Sequence, residues 1–168
     1  MDADELRSIQ APFKEKYQDD PEAAVITLEA SGEIGEGVTC SVQTARALVD
    51  AGLHPATGGT GVHVCSGDML LEALVACAGV TLNAVATALE IEFKGGRIKA
   101  EGELDMRGTL GVTKEAAVGF RTIRLAFELE SDADDEKIAL LKKLTERYCV
   151  VYQTLQQSPP IETSMTTA

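Results

Sequence analysis

One long apolar stretch constrains the fold of this chain more than any other feature. It runs from Met69 to Leu89 and has nearly the length of a membrane span, which needs about 20 residues. The stretch contains Glu72 and Asn83, however, and much of it is alanine and other small residues, which favours a helix in a protein core. Because this helix is apolar on nearly all sides, other elements must surround it. A single sheet cannot do so, and we therefore expect a second subunit to complete the cover.

Strand patterns lie on both sides of this helix in the sequence. Residues 24–30 and 38–43 alternate between apolar and polar side chains, which predicts an antiparallel pair joined by a turn at residues 32–37. The second strand would carry Cys40 towards the core as an ordinary packing residue. Strands followed by a helix, more strands and a final helix predict an α+β protein with segregated sheets. The further strands are predicted at residues 46–49, 97–106 and 120–130.

A glycine-rich loop at residues 52–61 precedes the long helix. Ser66 is expected to cap this helix, because a serine hydroxyl can accept a hydrogen bond from an unpaired N–H of the first turn. Asp68 then lies in the first turn, where a negative charge meets the positive end of the helix dipole.

The final helix is expected to open at Ser131 or Asp132, with acidic residues in its first turn and basic residues near its end. Pro159 and Pro160 stop the helical segment, and the tail is predicted to form one more strand. The buried stripe of this helix is predicted at Ile138, Leu141, Leu144 and Tyr148.

Length and charge limit the partners of the chain. Its 168 residues, of which 45% are hydrophobic, suit a single domain over residues 1–168, with residues 1–20 as an N-terminal helical arm. A net charge of -12 repels phosphate backbones and anionic headgroups, so neither nucleic acid nor a membrane is expected as a partner. The acidic first residues are unlike a secretory signal, which places the protein in the cytoplasm. A disulfide in that reducing compartment would be transient and chemical in purpose.

Two of the four cysteines lie in contexts that indicate a redox centre. Cys77 is in the long apolar helix and Cys149 follows the final amphipathic helix, so folding can bring them together. A thiol reacts as its thiolate, and burial disfavours ionisation. Cys77 would therefore need a cation or hydrogen-bond donors beside it. Arg46 and Arg121 are the available arginines on or beside strands, and Arg46 is favoured because it precedes the glycine-rich loop.

The chain also resembles a known family. The glycine run at residues 58–60, the phrase Ala-Cys-Ala-Gly-Val-Thr-Leu at residues 76–82, and Tyr148-Cys149 with Thr-Leu at residues 154–155 are similar to the OsmC/Ohr family of osmotically induced and organic hydroperoxide resistance proteins. The resemblance covers roughly residues 29–155. It implies an intertwined α+β homodimer, an OsmC-like fold in which antiparallel sheets wrap around the central helices.

That resemblance implies a chemistry as well. Cys77 would attack a small organic hydroperoxide and become a sulfenic acid, Cys149 would resolve it to a disulfide, and an external dithiol would reduce the disulfide. Arg46 would steady the thiolate. The hydroperoxidase branches place a glutamate ten residues before the reactive cysteine to hold that arginine, whereas Gly67 stands at that position here. Asp68, one step later and about 100 degrees around the helix, is the candidate to replace it.

Other functions are open on the residues alone. A non-enzymatic OsmC-like dimer that binds a ligand or a partner would use the cysteines for packing, since cysteine is among the most buried residue types. His54, His63 and Cys65 are ligand types for zinc, but the usual paired spacing is absent, so no metal is expected. No cofactor is expected either, because the glycine-rich loop lacks the lysine and hydroxyl of a phosphate-binding loop. Cys65, just before the helix, is a possible participant in the redox centre.

Overall fold

The apolar stretch folds into one helix, α1, which spans Ser66–Ala88 in the computed structural model. Cys65 occupies the position before it without a side-chain cap, so the expectation that Ser66 caps the helix is wrong; Ser66 is its first residue. By length and composition alone α1 could cross a membrane. The residues that the structure describes are 2–8, 10, 11, 31–34, 39–43 and 48–167.

Within the described ranges, four short strands precede α1 and form one sheet in the order β1-β2-β3-β4. The first three pair antiparallel, whereas β3 and β4 run parallel. A 3-10 turn at Pro55–Thr57 interrupts the glycine-rich loop between β3 and β4. The strands are β1 (Ser31–Ile34), β2 (Thr39–Gln43), β3 (Leu48–Gly52) and β4 (Val64–Cys65).

The partner of β2 differs from the prediction. Residues 24–30 lie outside the described part of the chain, and β2 pairs with β1 at residues 31–34, of which 32–34 were assigned to a turn. Strand pairing is made by backbone groups, to which a glycine contributes as well as any other residue. Alternation of side chains therefore gives no signal at Gly32. The third strand is displaced as well, since β3 begins at Leu48 and continues to Gly52.

A long antiparallel hairpin follows α1. Strand β5 (Gly95–Leu104) pairs with β6 (Phe120–Glu130), and the single helical turn α2 (Met106–Thr109) lies in the connection. Asp105 caps that turn by accepting a hydrogen bond from the N–H of Arg107 at 3.1 Å. The boundaries of β6 coincide with the sequence prediction, because its apolar and polar side chains alternate over the whole length.

Two helices close the described chain: α3 (Asp135–Tyr148) and α4 (Val150–Gln156). Asp134 caps α3 by accepting from the N–H of Lys137 at 2.8 Å, so the predicted start at Ser131 or Asp132 is a few residues too early. The hydroxyl of Ser131 instead donates to the carbonyl of Glu92 at 2.7 Å. Residues 157–167 form no strand, contrary to the prediction for the tail.

The core lies between α1, α3 and the hairpin. Its buried members come from α1, from the loop that follows α1 and from α3, while apolar residues of β6 pack against them. Small sheets, one long central helix and two packed terminal helices make the chain an α+β protein, as expected. The central core residues are Leu82, Val85, Ala86, Ile91 and Leu141.

The N-terminal arm is described only in part. Residues 3–8, 10 and 11 are helical, and residues 12–20 of the predicted arm lie outside the described part of the chain. The amide of Leu6 donates to the carbonyl of Asp2 at 3.0 Å, which begins this helical segment.

The buried line on α3 is turned by one residue from the prediction. Leu141 is buried as expected, but the line continues through Thr145 to Cys149, all three being about 1% exposed. Tyr148, predicted to be buried, is 59% exposed and lies beneath the guanidinium of Arg147. The spacing of four residues keeps one face of the helix against α1 and carries the line directly to the second cysteine.

Candidate active site

Cys149 lies at the junction of two helices. Its N–H donates to the carbonyl of Thr145 at 3.0 Å, which ends α3, and its own carbonyl accepts from the N–H of Gln153 at 2.9 Å, which begins α4. Its backbone is extended, with φ -73° and ψ 108°, so the chain changes direction there. The thiol is consequently held inside the protein by backbone bonds on both sides.

Cys77 lies on α1 and faces this junction. It is half-buried, between the fully buried Leu74 one turn before it and Thr81 one turn after it. Its thiol is hydrogen-bonded to the thiol of Cys149. The two cysteines that the sequence singled out are therefore in contact, although 72 positions separate them in the chain.

Backbone donors also reach the Cys77 sulfur. The N–H groups of Val150 and Val151, the first two residues of α4, both donate to it. The first N–H groups of a helix have no carbonyl partner within that helix, so they are free to bind an acceptor outside it. The hydroxyl of Thr81 is a further hydrogen-bond partner of the same sulfur. Hydrogen bonds from these donors stabilise the thiolate form of the sulfur more than the thiol form.

The balance of these contacts lowers the pKa of Cys77. Burial raises it, and is the largest single effect, but the hydrogen bonds from Val151, Cys149, Val150 and Thr81 together outweigh burial. Each of these donors stabilises the charged form of the sulfur. The Cys77 thiol therefore ionises below its ordinary pKa.

The pKa of Cys149 is raised, in contrast to that of Cys77. Burial raises its pKa most, the N–H of Tyr152 acts against that rise, and the hydrogen bond and negative charge of Cys77 raise it further. One thiol of the pair thus loses its proton first while the other keeps its own. Chemically, the pair combines one thiol that ionises more readily than an ordinary cysteine and one adjacent thiol with which it can form a disulfide.

The predicted arginines are not among the groups that act on Cys77 in the described part of the chain. Arg46 lies outside the described residues. Arg121 is exposed near the start of β6 and lines a cavity of about 370 Å³. It also lies near the carboxylate of Asp105, whose pKa is held at about 2, chiefly by hydrogen bonds from Arg107. Arg121 is therefore near the site without touching its sulfur atoms.

Asp68 is exposed in the first turn of α1. It precedes Cys77 by nine residues, about 13 Å along a helix axis, so the two do not touch. In the part of the chain that the structure describes, Asp68 forms no ion pair, and its predicted partner Arg46 lies outside that part. Gly67, at the position of the usual glutamate, is packed: a Cβ atom there would lie 3.5 Å from the Phe120 ring.

The cavity beside Arg121 is lined by near neighbours of the two cysteines in the sequence, although neither cysteine lines it. Leu74, one turn before Cys77, and Tyr152, three residues after Cys149, both line it. Among the described residues, the other charged side chains that line it are Lys142 and Glu146, which form an ion pair at 3.4 Å. The remaining lining is mainly apolar and aromatic, and comes from β6 and α4: Phe120, Ile123, Leu125, Phe127 and Leu155.

The described residues give no support to a zinc site. Within those ranges no three histidine, cysteine or acidic side chains lie close enough to hold a metal ion. His54 instead caps the 3-10 turn, where its Nδ1 accepts from the N–H of Ala56 at 3.0 Å. Cys65 is half-buried before α1 and is a free thiol.

The groups that donate to Cys77 were not predicted from the sequence. The spacing of four residues between Cys77 and Thr81 places both on one face of a helix, and this is the signal that could have indicated Thr81. Val150 and Val151 donate through their backbone, so their side chains carry no comparable signal.

Known proteins of one family are similar to this chain in sequence and in structure. A family model described as OsmC-like protein matches residues 59–164. No curated protein matches this chain. An OsmC like protein from Mycoplasma pneumoniae is similar in structure, with a TM-score of 0.66 and 18% identity over 79% of this chain and 89% of that chain.

Two solved structures with more specific names share the fold. An organic hydroperoxide resistance protein from Elizabethkingia anophelis has a TM-score of 0.64 and 12% identity over 80% of this chain and 91% of its own. The organic hydroperoxide resistance protein OhrB of Bacillus subtilis has a TM-score of 0.56 and 20% identity over 79% of this chain and 93% of its own. At these identities the likeness establishes a common fold.

Proposed function

Because this chain belongs to the OsmC-like protein family, we propose that it is a cysteine-based thiol peroxidase that reduces organic hydroperoxides. The observation that carries the proposal is the unequal thiol pair: Cys77, with a lowered pKa, is hydrogen-bonded to Cys149, with a raised pKa. Two proteins of the same fold are named for organic hydroperoxide resistance, which supports the choice of substrate.

The reaction begins with the Cys77 thiolate. Its sulfur attacks one oxygen of the peroxide, the O–O bond breaks, and the alkoxide leaves and takes up a proton to become an alcohol. Cys77 is thereby oxidised to a sulfenic acid. The Cys149 thiol then attacks this sulfur, a disulfide forms, and the hydroxyl leaves as water with the thiol proton. An external dithiol reduces the disulfide and is itself oxidised, which returns both cysteines to thiols.

The residues around the two cysteines would bind the peroxide and stabilise the thiolate. The apolar cavity lined by Leu74 and Tyr152 would receive the organic part of the peroxide. Arg46 would contribute positive charge to the thiolate, and Asp68 would hold that arginine in place of the glutamate of the hydroperoxidase branches.

We also propose that the protein acts as a homodimer in the cytoplasm. Helix α1 leaves Val80 73% exposed and Leu70 38% exposed, although a central helix of this kind needs cover on all sides. A second copy would supply that cover, three residues from Cys77. A reducing compartment would also keep the two thiols in the reduced state from which each turnover starts.

Oxidation of the reduced protein tests the proposal directly. Addition of cumene hydroperoxide should consume two thiols per chain and yield a Cys77 to Cys149 disulfide in peptide mass spectra. With dithiothreitol present, the peroxide should be consumed catalytically. A Cys65→Ser variant is the matched control and should behave like the wild type. Unchanged thiols under excess peroxide would refute the assignment.

A non-enzymatic ligand-binding or interaction dimer is the alternative. The observation that favours it is the exposed Asp68, which forms no ion pair among the described residues, whereas the resemblance implies a glutamate that holds the arginine in the hydroperoxidase branches. If the protein is such a non-enzymatic dimer, Cys77 should react with iodoacetamide no faster than an ordinary buried thiol. Rapid alkylation of Cys77 at neutral pH excludes this alternative.

A further inference from the structure

We infer that Phe120 determines the substrate range of this site: its ring closes the end of the cavity farthest from Cys77 and so limits the chain length of the hydroperoxides that fit. The inference rests on the proposed function, since it concerns the substrates of that same reaction. It follows from the place of the ring along α1, from a register shift in the hairpin and from the glycine on which the ring lies.

Strand β6 runs alongside α1 in the same direction as the helix. At one end, the Phe120 ring would lie 3.5 Å from a Cβ atom at Gly67, the second residue of α1. At the other end, Phe127 pairs with Ile98, whose side chain would lie 3.2 Å from a Cβ atom at Gly79. Both phenylalanines line the cavity of about 370 Å³, so the cavity extends along α1 between these two levels.

Cys77 lies near the second of these levels. It is two residues from Gly79, about 3 Å along the helix axis, but ten residues from Gly67, about 15 Å along the same axis. Leu74, one turn before Cys77, also lines the cavity. The organic group of a peroxide held at Cys77 would therefore extend past Leu74 towards Phe120, and the ring limits how far it can reach.

A register shift turns Phe120 towards the cavity. It falls between Glu103 and Leu104 of β5 and leaves Arg121 as an extra residue on β6. Residues three apart on a regular strand point to opposite faces, yet Phe120 and Ile123 are both half-buried and both line the cavity. An extra residue of this kind re-aims the side chains beside it and is often found next to active sites.

Gly102 provides the space that the ring occupies. A Cβ atom at Gly102 would overlap the Phe120 ring, so any other residue there would displace the ring. Glycine inside a strand weakens the strand and marks a close approach of another group. Among the described residues, Phe120 belongs neither to the central core nor to the apolar residues packed against that core. A role in shaping the cavity therefore explains this arrangement better than a role in the core.

Linear alcohols measure the cavity without any reaction, because they are the products of the corresponding alkyl hydroperoxides. Binding of the series from butanol to decanol to the reduced protein is measured by isothermal titration calorimetry. Each CH₂ group that finds apolar cover should tighten binding about fourfold. In the wild type this gain should stop at the chain length that reaches Phe120.

Two substitutions should move this limit in opposite directions, which a general loss of stability would not do. Phe120→Ala should extend it and raise the ratio of decanol to butanol affinity about tenfold, roughly the gain from two further CH₂ groups. Gly102→Ala should shorten it, because the new methyl group pushes the ring into the cavity. In the double variant no ring remains to be displaced, so its limit should match that of Phe120→Ala.

The matched control is Val118→Ala, an apolar truncation two residues before Phe120. Val118 is 74% exposed and is not among the residues that line the cavity, so its limit should equal that of the wild type. The ratio of kcat/KM for decyl over butyl hydroperoxide should change in the same direction as the affinity ratio in every variant.

An equal chain-length limit in the wild type and Phe120→Ala would overturn the inference, and so would a double variant that keeps the limit of Gly102→Ala. If the alcohol series shifts as expected while no variant consumes hydroperoxide, Phe120 is retained as the limit of the cavity and the proposed peroxidase activity is rejected. If every variant consumes all the hydroperoxides without regard to chain length, the inference fails and the proposed activity stands.

Discussion

The hydroxyl of Thr145 donates to Leu141 at 2.8 Å, and the carbonyl of Thr145 accepts from the N–H of Cys149 at 3.0 Å. Thr145 therefore links the buried centre of α3 to the cysteine at its end. All three residues are about 1% exposed. The position of the second thiol is set by the packing of α3 against α1, and the chemistry of the pair depends on that core.

Replacement of Cys149 should separate the two steps of the proposed reaction. In Cys149→Ser, Cys77 should still react with peroxide, but its sulfenic acid has no thiol to meet. We expect dimedone to capture it, with the added mass found on the Cys77 peptide and no disulfide in the spectrum. In the Cys65→Ser control the disulfide should form and dimedone should add little. A Cys149→Ser protein that still forms an intramolecular disulfide would assign the resolving role to another cysteine.

The unequal pKa values predict an ordered dependence on pH. The pKa of Cys77 is lowered, so its thiolate should persist to lower pH than that of an ordinary cysteine, whereas the raised pKa of Cys149 keeps that residue protonated. Below the pKa of Cys77, its reaction rate should fall about tenfold per pH unit as the thiol replaces the thiolate. Alkylation followed at each cysteine as pH rises should modify Cys77 first. Modification of Cys149 first would contradict the assignment of roles.

The sequence predicted those elements whose side chains carry a periodic signal. Strand β6 alternates along its full length, and the apolar run of α1 indicated a central helix, so both were predicted correctly. The pairing of β1 with β2 was not, because strand pairing uses backbone groups and Gly32 interrupts the alternation. Residues 24–30 and Arg46 lie outside the described residues, so those predictions remain predictions.

The two cysteines of the site could be predicted from the sequence, whereas the backbone hydrogen-bond donors to Cys77 could not. Cys77 and Cys149 stand out by their sequence contexts, but two of the donors to Cys77 leave little trace in a sequence. Val150 and Val151 act through the backbone at a helix start whose existence depends on the extended conformation of Cys149. Such a break between two helices is not encoded by a proline or glycine here, and only the folded packing reveals it.

The packing of Leu141 in the core beside the site should contribute to the free energy of unfolding. Leu141 is 1% exposed and belongs to the central core, so Leu141→Ala should lower the free energy of unfolding by about 2 to 5 kcal/mol. The neighbouring Leu140 is 43% exposed, and Leu140→Ala should cost less than about 1 kcal/mol. Urea unfolding followed by circular dichroism gives both values. Equal losses for the two variants would contradict the described packing of α3.

The exposed side of α1 provides a test of the proposed dimer. Val80 is 73% exposed three residues after Cys77, and in a dimer built around the central helices it would be buried. A carboxylate there would have to be desolvated at the interface, which is unfavourable without a partner charge. Val80→Asp should therefore shift the mass measured by sedimentation equilibrium from two chains towards one, in a concentration-dependent way.

The matched control for this test is Ile161, which is 84% exposed in the tail beyond α4. Ile161→Asp introduces the same charge at an exposed apolar position away from the central helix, and should leave the mass at two chains. Circular dichroism establishes that each variant keeps its helical content, so that loss of association is not mistaken for unfolding. A wild-type protein that sediments as one chain, or a Val80→Asp protein that remains fully dimeric, would show that α1 is not covered by a second copy at this position.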